Sequence, residues 1–204
     1  MERIEFKKIG RHTVVYADSV KQSQQIKSLL IQEDFLTFSD PPFDLKPCDV
    51  FAAIFANKHH IIAGYGINYY SLCVKEDLFF SGEIIVPRHH PQSVKGWKTP
   101  FITHFNVALL SKSNPKSHPF DRYLARGKFG KDSYFPSVLP KYENVLGNHQ
   151  KPLQYALDIL SCCHSKYIFD PFLGTATTLK ACEILGKTCI GVEMDRNKYE
   201  TISL

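Results

Sequence analysis

Ser39-Asp40-Pro41-Pro42-Phe43 closes an apolar run at 34–39, and this short turn carries the sharpest chemistry in the chain. Two consecutive prolines fix a rigid backbone without amide donors just past a strand end. That rigidity aims the Asp40 carboxylate and the Pro41 carbonyl at one point. Two converging acceptors suit a planar amino group on an aromatic ring, because each receives one of its hydrogens. The nitrogen is drawn toward tetrahedral geometry, and its lone pair can attack an electrophilic carbon held in line. Phe43 would stack on the ring that carries the amine. Asp40 reads as a hydrogen-bond acceptor more than a strong base, and positioning does most of the work without metal or covalent intermediate. The bland alternative is an ordinary exposed turn.

A second pattern lies far downstream. Phe169-Asp170-Pro171-Phe172-Leu173-Gly174-Thr175-Ala176-Thr177-Thr178 reads as a buried strand, a turn of small residues and the start of an amphipathic helix. Gly191-Val192-Glu193-Met194-Asp195 reads as the next strand, ending on a carboxylate. Gly174 and the small pair Thr175-Ala176 let the backbone approach a ligand closely, and the following helix offers free N–H groups. Glu193 is placed to accept from the two hydroxyls of a ribose. Any nucleoside cofactor fits this logic, and so does a tight turn that holds no ligand.

The segment His149-Gln150-Lys151-Pro152-Leu153, the strand ending in Asp170-Pro171-Phe172 and the Gly191–Asp195 strand together resemble the C-terminal part of amino-methylating DNA methyltransferases. The subgroup resembled is the circularly permuted β class, in which the catalytic motif precedes the cofactor motif. The resemblance implies S-adenosylmethionine, with Asp170 and Gly174 near its methionine end, Glu193 on its ribose, Phe172 walling the pocket and Thr175 also among the cofactor-binding residues. Lys151, beside a helix N-terminus, would attract the cofactor carboxylate. Asp18, in Ala17-Asp18-Ser19, would contact the cofactor's adenine. The run Thr103–Lys112 is similar to the last strand of the family's catalytic half. A motif opening with Asp40 implies adenine N6 as the target, since N4-cytosine enzymes more often open it with serine. RNA or protein amide methylation and a degenerate DNA-binding subunit are the other readings.

One residue departs from the family pattern, which usually has glycine where this chain has Ala176. If that position needs positive φ, alanine costs roughly 1–2 kcal/mol there. If glycine serves only close approach, the extra methyl weakens cofactor binding instead.

The elements that must position these residues alternate along the chain. Strands are expected at 13–17, 34–39, 60–64, 82–87, 104–110, 166–170 and 188–193, with helices at 20–31, 47–57, 150–163 and 177–185. Alternation of this kind predicts an α/β fold, a doubly wound Rossmann-like sheet of seven mostly parallel strands. The 204 residues suit one domain, 1–204. Residues 111–148 break the rhythm with four prolines and three glycines, and read as an irregular basic surface insertion, a candidate target-recognition region.

Charge points to a polyanion. Residues 111–131 hold Lys112, Lys116, Arg122, Arg126, Lys128 and Lys131 against Asp121 alone, which matches the net charge of +5 for the whole chain. Arg88, Lys95 and Lys98 add an acid-free stretch. Double-stranded DNA is the partner this implies, with the target nucleotide flipped out and the phosphates gripped by Arg88, Lys95, Lys98, Lys112, Lys116, Arg122, Arg126 and Lys128. So short an insertion implies a short recognition site or relaxed specificity, or else a homodimer or accessory specificity subunit that completes the reading surface. The expected setting is restriction-modification.

Cys48, Cys73, Cys162, Cys163, Cys182 and Cys189 lack a metal-binding spacing and are expected to be free thiols, most of them buried. No apolar stretch reaches membrane-spanning length and residues 1–12 lack a signal-peptide block, so a cytoplasmic location is expected.

Overall fold

Parallel strands sandwiched between helices must be apolar on both faces, and the central runs of this chain meet that demand. A computed structural model describes residues 4–30, 34–42, 45–54, 58–64, 78–92, 102–112, 114–121, 123–125 and 151–204. Among them eight strands form one sheet: β1 (Glu5–Ile9), β2 (His12–Tyr16), β3 (Leu36–Ser39), β4 (His59–Gly64), β5 (Phe79–Gln92), β6 (Ile102–Ser111), β7 (Tyr167–Asp170) and β8 (Thr188–Glu193). Their spatial order is β1-β2-β8-β7-β3-β4-β6-β5. β2, β8, β7, β3 and β4 run parallel, while β1 and β6 are antiparallel to their neighbours.

Adjacent residues on these strands serve opposite faces. Val14, Ile61 and Leu109 join one core with α3 (Leu153–Ser161), α4 (Thr177–Ile184) and α5 (Arg196–Thr201). Val15, Phe169 and Val192 pack with Ile26 and Leu30 of α1 (Ser23–Leu30), and Ile62, Ala108 and Leu110 with Val50 and Ala53 of α2 (Pro47–Ile54). Three layers result, and the fold is doubly wound. Each fully buried Val, Ile or Leu contributes roughly 1.5–3 kcal/mol.

The sheet has eight strands where the sequence suggests seven. The additional strand, β1, is an edge strand whose burial pattern is largely exposed and whose centre is Lys7-Lys8, so it lacks the apolar signature of its neighbours. Lys7 staples it to the end of the chain, donating from Nζ to the carbonyls of Tyr199 at 2.5 Å and Ile202 at 3.2 Å. α5 is also unforeseen; Asp195 caps it, accepting from the amides of Asn197 and Lys198. No helix among the described residues is long and apolar enough to cross a membrane. The described cysteines are free, Cys48 exposed and the other four buried; Cys73 lies outside the described residues.

Gly191 shows how tightly β8 meets the turn after β7. A Cβ placed there would lie 2.6 Å from Cδ2 and 2.7 Å from Cδ1 of Leu173. Leu173 is itself buried, and its amide donates to the Val192 carbonyl at 2.9 Å. Gly191→Ala is therefore expected to destabilise the fold by about 1–3 kcal/mol, as overpacking does. Thermal melts should register a drop of roughly 2–12 °C in a chain of this size. An unchanged melting temperature would mean that Leu173 repacks freely.

Candidate functional site

The two halves of the sheet meet where β7 lies beside β3, and strand order runs outward from that pair in both directions. A crevice opens beyond the strand ends at such a switch point. It measures about 1110 Å³ and is lined by the turns after β2, β3, β7 and β8.

After β7 the backbone turns twice through the left-handed region, at Gly174 (φ 55°) and Ala176 (φ 64°). Ala176 is the sole non-glycine with positive φ among the described residues, and its amide donates to the Leu173 carbonyl as α4 begins. Of the two alternatives at this position, the strained backbone is therefore the one observed. Left-handed strain of about 1–2 kcal/mol is offset by burial of the methyl group, 1% exposed, worth about 0.8 kcal/mol. Alanine also loses less backbone entropy than glycine on folding, by about 0.5–1 kcal/mol. These effects nearly cancel. Ala176→Gly should shift stability by less than about 1 kcal/mol, whereas β-branched Ala176→Val should cost at least about 2 kcal/mol. Thermal melts of the two variants check both, and a tolerated valine would contradict the strain.

Asp170 ends β7 and is buried. Burial pushes its carboxyl up from an ordinary 3.8 to about 7, and the negative charges of Asp40 and Glu193 push the same way. A hydrogen bond from Thr178 and the Phe172 amide, 3.0 Å from Oδ1, work against that shift. Glu193, at the end of β8, accepts the Asp195 amide at 2.7 Å through Oε1. Asp18 follows β2, and its carboxylate already holds the local turn. Oδ1 accepts the amides of Val20 and Lys21, and Oδ2 lies 3.3 Å from Lys21 Nζ. Burial would raise the Asp18 carboxyl, but these bonds outweigh it and hold it below the usual range. Ser19, which follows Asp18 in that segment and carries no expected role of its own, donates to the Pro171 carbonyl and ties the two turns together.

Asp40 stands just past β3, followed by buried Pro41 and exposed Pro42. Its Oδ2 lies 2.5 Å from Lys151 Nζ, both side chains partly buried. The carbonyl of Lys151 accepts from Thr177 Oγ1 at 3.4 Å, at the first residue of α4. Phe43 lies outside the described residues.

Asp40, Pro41, Pro42, Asp18, Lys151, Asp170, Phe172, Gly174, Thr175 and Glu193 thus all line one crevice. Tyr155, Asp49, Thr178 and Lys198 line it too without having been foreseen. Tyr155 had no signal beyond the apolar face of α3; Lys198 had none, because the helix that carries it was not anticipated. Six carboxylates and three lysines border this space among the described residues.

The expected DNA-gripping residues divide. Lys112 and Lys116 are not brought to the crevice. β6 runs against the parallel strands, so its end at Ser111 pairs with His59 at the start of β4. The Lys112 amide donates to the Lys58 carbonyl, and His118 Nε2 sits 3.1 Å from the His60 carbonyl oxygen. Phe120 bridges Cys163, and Asp121 Oδ2 lies 3.1 Å from His164 Nε2. This part of the 111–148 insertion is therefore fastened along the strand-start edge, opposite the crevice. Arg88 lies on β5, whose end at Gln92 pairs with Ile102 on the crevice side. Lys95, Lys98, Arg122, Arg126 and Lys128 lie outside the described residues.

A doubly wound, mostly parallel sheet of this kind matches the structures of S-adenosylmethionine-dependent DNA methyltransferases. The M1.HpyAVI–SAM complex superposes with a TM-score of 0.68 at 18% identity, covering 93% of this chain and 97% of that one. The PvuII DNA methyltransferase (cytosine-N4-specific) superposes at 0.67 and 13% identity, covering 96% and 88%. Residues 55–203 match the N6/N4 DNA methylase family, and the chain belongs to that family. The type II methyltransferase M2.DpnII of Streptococcus pneumoniae is 32% identical over 108 residues, 47% of this chain. M2.LlaDCHI of Lactococcus lactis subsp. cremoris matches equally, and the match spans only 40% of either relative.

Proposed function

We propose that this chain transfers a methyl group from S-adenosylmethionine to the exocyclic N6 amino group of adenine in DNA. The observation that carries the reading is convergence: Asp40 and the Asp170–Glu193 cluster border a single crevice. The residues present fit the cofactor. Buried Asp170 sits among other carboxylates, a setting that a cationic ligand relieves, and Glu193 at a strand end suits a ribose. S-adenosylmethionine, when bound, supplies a methyl group on a positively charged sulfonium.

Asp40 accepts one hydrogen of the target amine and the Pro41 carbonyl the other. The nitrogen lone pair would then form the new N–C bond as the C–S bond breaks, and the surplus proton, now on a cationic nitrogen and readily lost, would pass by way of Asp40 Oδ1 to water. Phe43, which closes the motif, would stack on the flipped base. Among the described residues, the DNA-gripping surface is proposed along β5, which carries Arg88 and ends toward the crevice side, and no longer on Lys112 or Lys116 at the opposite edge.

Incubation with tritiated S-adenosylmethionine and duplex DNA, followed by nucleoside analysis, tests this. N6-methyladenine is the expected product. N4-methylcytosine alone would move the assignment to the sister base, which the PvuII likeness keeps in view. Label in RNA but not in DNA would overturn the DNA reading.

A further inference from the structure

The sequence pairs Lys151 with the cofactor; the structure pairs it with Asp40. Their 2.5 Å contact joins residues 111 positions apart, and it spans the crevice between the turn after β3 and the entry to α3. The lysine is not loosely tethered, because its carbonyl takes the Thr177 hydroxyl and Pro152, the next residue, stands at the N-terminal boundary of α3. Both side chains are shielded, at 19% and 28% exposure. An ion pair so placed is screened less than a surface one.

We propose that Lys151 is a positioning residue for Asp40: it holds one carboxylate oxygen and fixes its aim, leaving the other to the target amine. The inference rests on the methyltransferase reading and assigns Lys151 away from the cofactor carboxylate. Its chemical consequence is specific. A carboxylate beside an ammonium stays ionised, so it can accept a hydrogen bond but is a poor proton abstractor. Asp170, whose own carboxyl is pushed up by burial and by the negative charge of Asp40, borders the same crevice. Asp49 of α2 and Glu193 border the same space with the same sign. Lys151 puts a cation in direct contact with Asp40 that sets against them.

Two measurements on the full chain test this. The first needs no cofactor: the Asp40 carboxyl carbon, assigned by its loss in Asp40→Asn, is followed by carbon-13 NMR against pH. In Lys151→Met its titration midpoint should rise by about 1–3 units, and Lys151→Arg should restore most of the difference. The second is methyl transfer to duplex DNA. Lys151→Met should lower kcat roughly 10- to 100-fold while the dissociation constant for S-adenosylmethionine changes little. An unmoved Asp40 midpoint overturns the proposal. So does a cofactor affinity that collapses while kcat survives, because Lys151 would then be a cofactor ligand. Wild-type protein that transfers no methyl group, yet shows the shifted midpoint, would sink the methyltransferase reading and leave the Lys151–Asp40 assignment standing.

Discussion

Asp40→Ala is expected to lower methyl transfer by about 10²–10⁴-fold, the range seen when a positioned acceptor or acid–base group is removed. The substitution removes an acceptor and spares the residues expected to hold the cofactor, so cofactor binding by calorimetry should change only a few-fold. Asp40→Asn is more informative. Its side-chain carbonyl still accepts a hydrogen bond, but the charge that pairs with Lys151 at 2.5 Å is gone. If acceptance alone were enough, Asn would keep much of the rate. If an ionised, lysine-aimed carboxylate is required, Asn should resemble Ala. Tritium transfer at saturating cofactor separates these outcomes, with circular dichroism showing that both variants fold. A retained rate within a few-fold of wild type in Asp40→Ala would falsify the acceptor role.

The second large effect concerns pH. Asp170 holds its proton up to about pH 7 in the folded chain, against 3.8 for an ordinary aspartate. Below that lower value both folded and unfolded chains are protonated, and the contribution to stability is fully present. As pH rises between the two values the unfolded chain ionises first, so stability falls. Above about 7 the loss is complete, near 4 kcal/mol by linkage. Asp170→Asn should abolish this slope and melt higher than wild type at pH 8. A cation delivered beside Asp170 reverses the preference and drives the proton off. Binding of S-adenosylmethionine should therefore release a proton near pH 6 and tighten as pH climbs toward 7, by up to about tenfold per unit. Calorimetry in two buffers of different ionisation heat reads both quantities. Affinity that is flat across this window, with no proton released, would separate Asp170 from the cofactor's charge.

The architecture was legible wherever burial leaves a mark. Doubly buried strands such as Ile61-Ile62 and Val14-Val15 show themselves as apolar runs, and a small-residue turn between a strand and a helix announces a crevice. β1 escaped because an exposed edge strand with Lys7 and Lys8 has no apolar period, and α5 because six residues are too few for one. The site was legible where chemistry constrains the backbone, at the prolines beside Asp40 and at Gly174. It was illegible where a contact is tertiary. Nothing in the spacing of Lys151 from Asp40 says that they touch. Nor does a cluster of lysines say which edge of the sheet it lies on; that follows from β6 running backward, which carries Lys112 away from the crevice. Ala176 could be read either as strained or as a close approach, and only the backbone angle decided it.

The staple from Lys7 to the last helix brings the two ends of the described chain within reach of each other. Residues at opposite ends of the described chain already touch there, so a short peptide could join them. New termini between β6 and α3 would then put the Asp170 half ahead of the Asp40 half, with every strand neighbour kept. A re-spliced protein of this kind should refold to the same sheet, as circular dichroism and thermal melting would check.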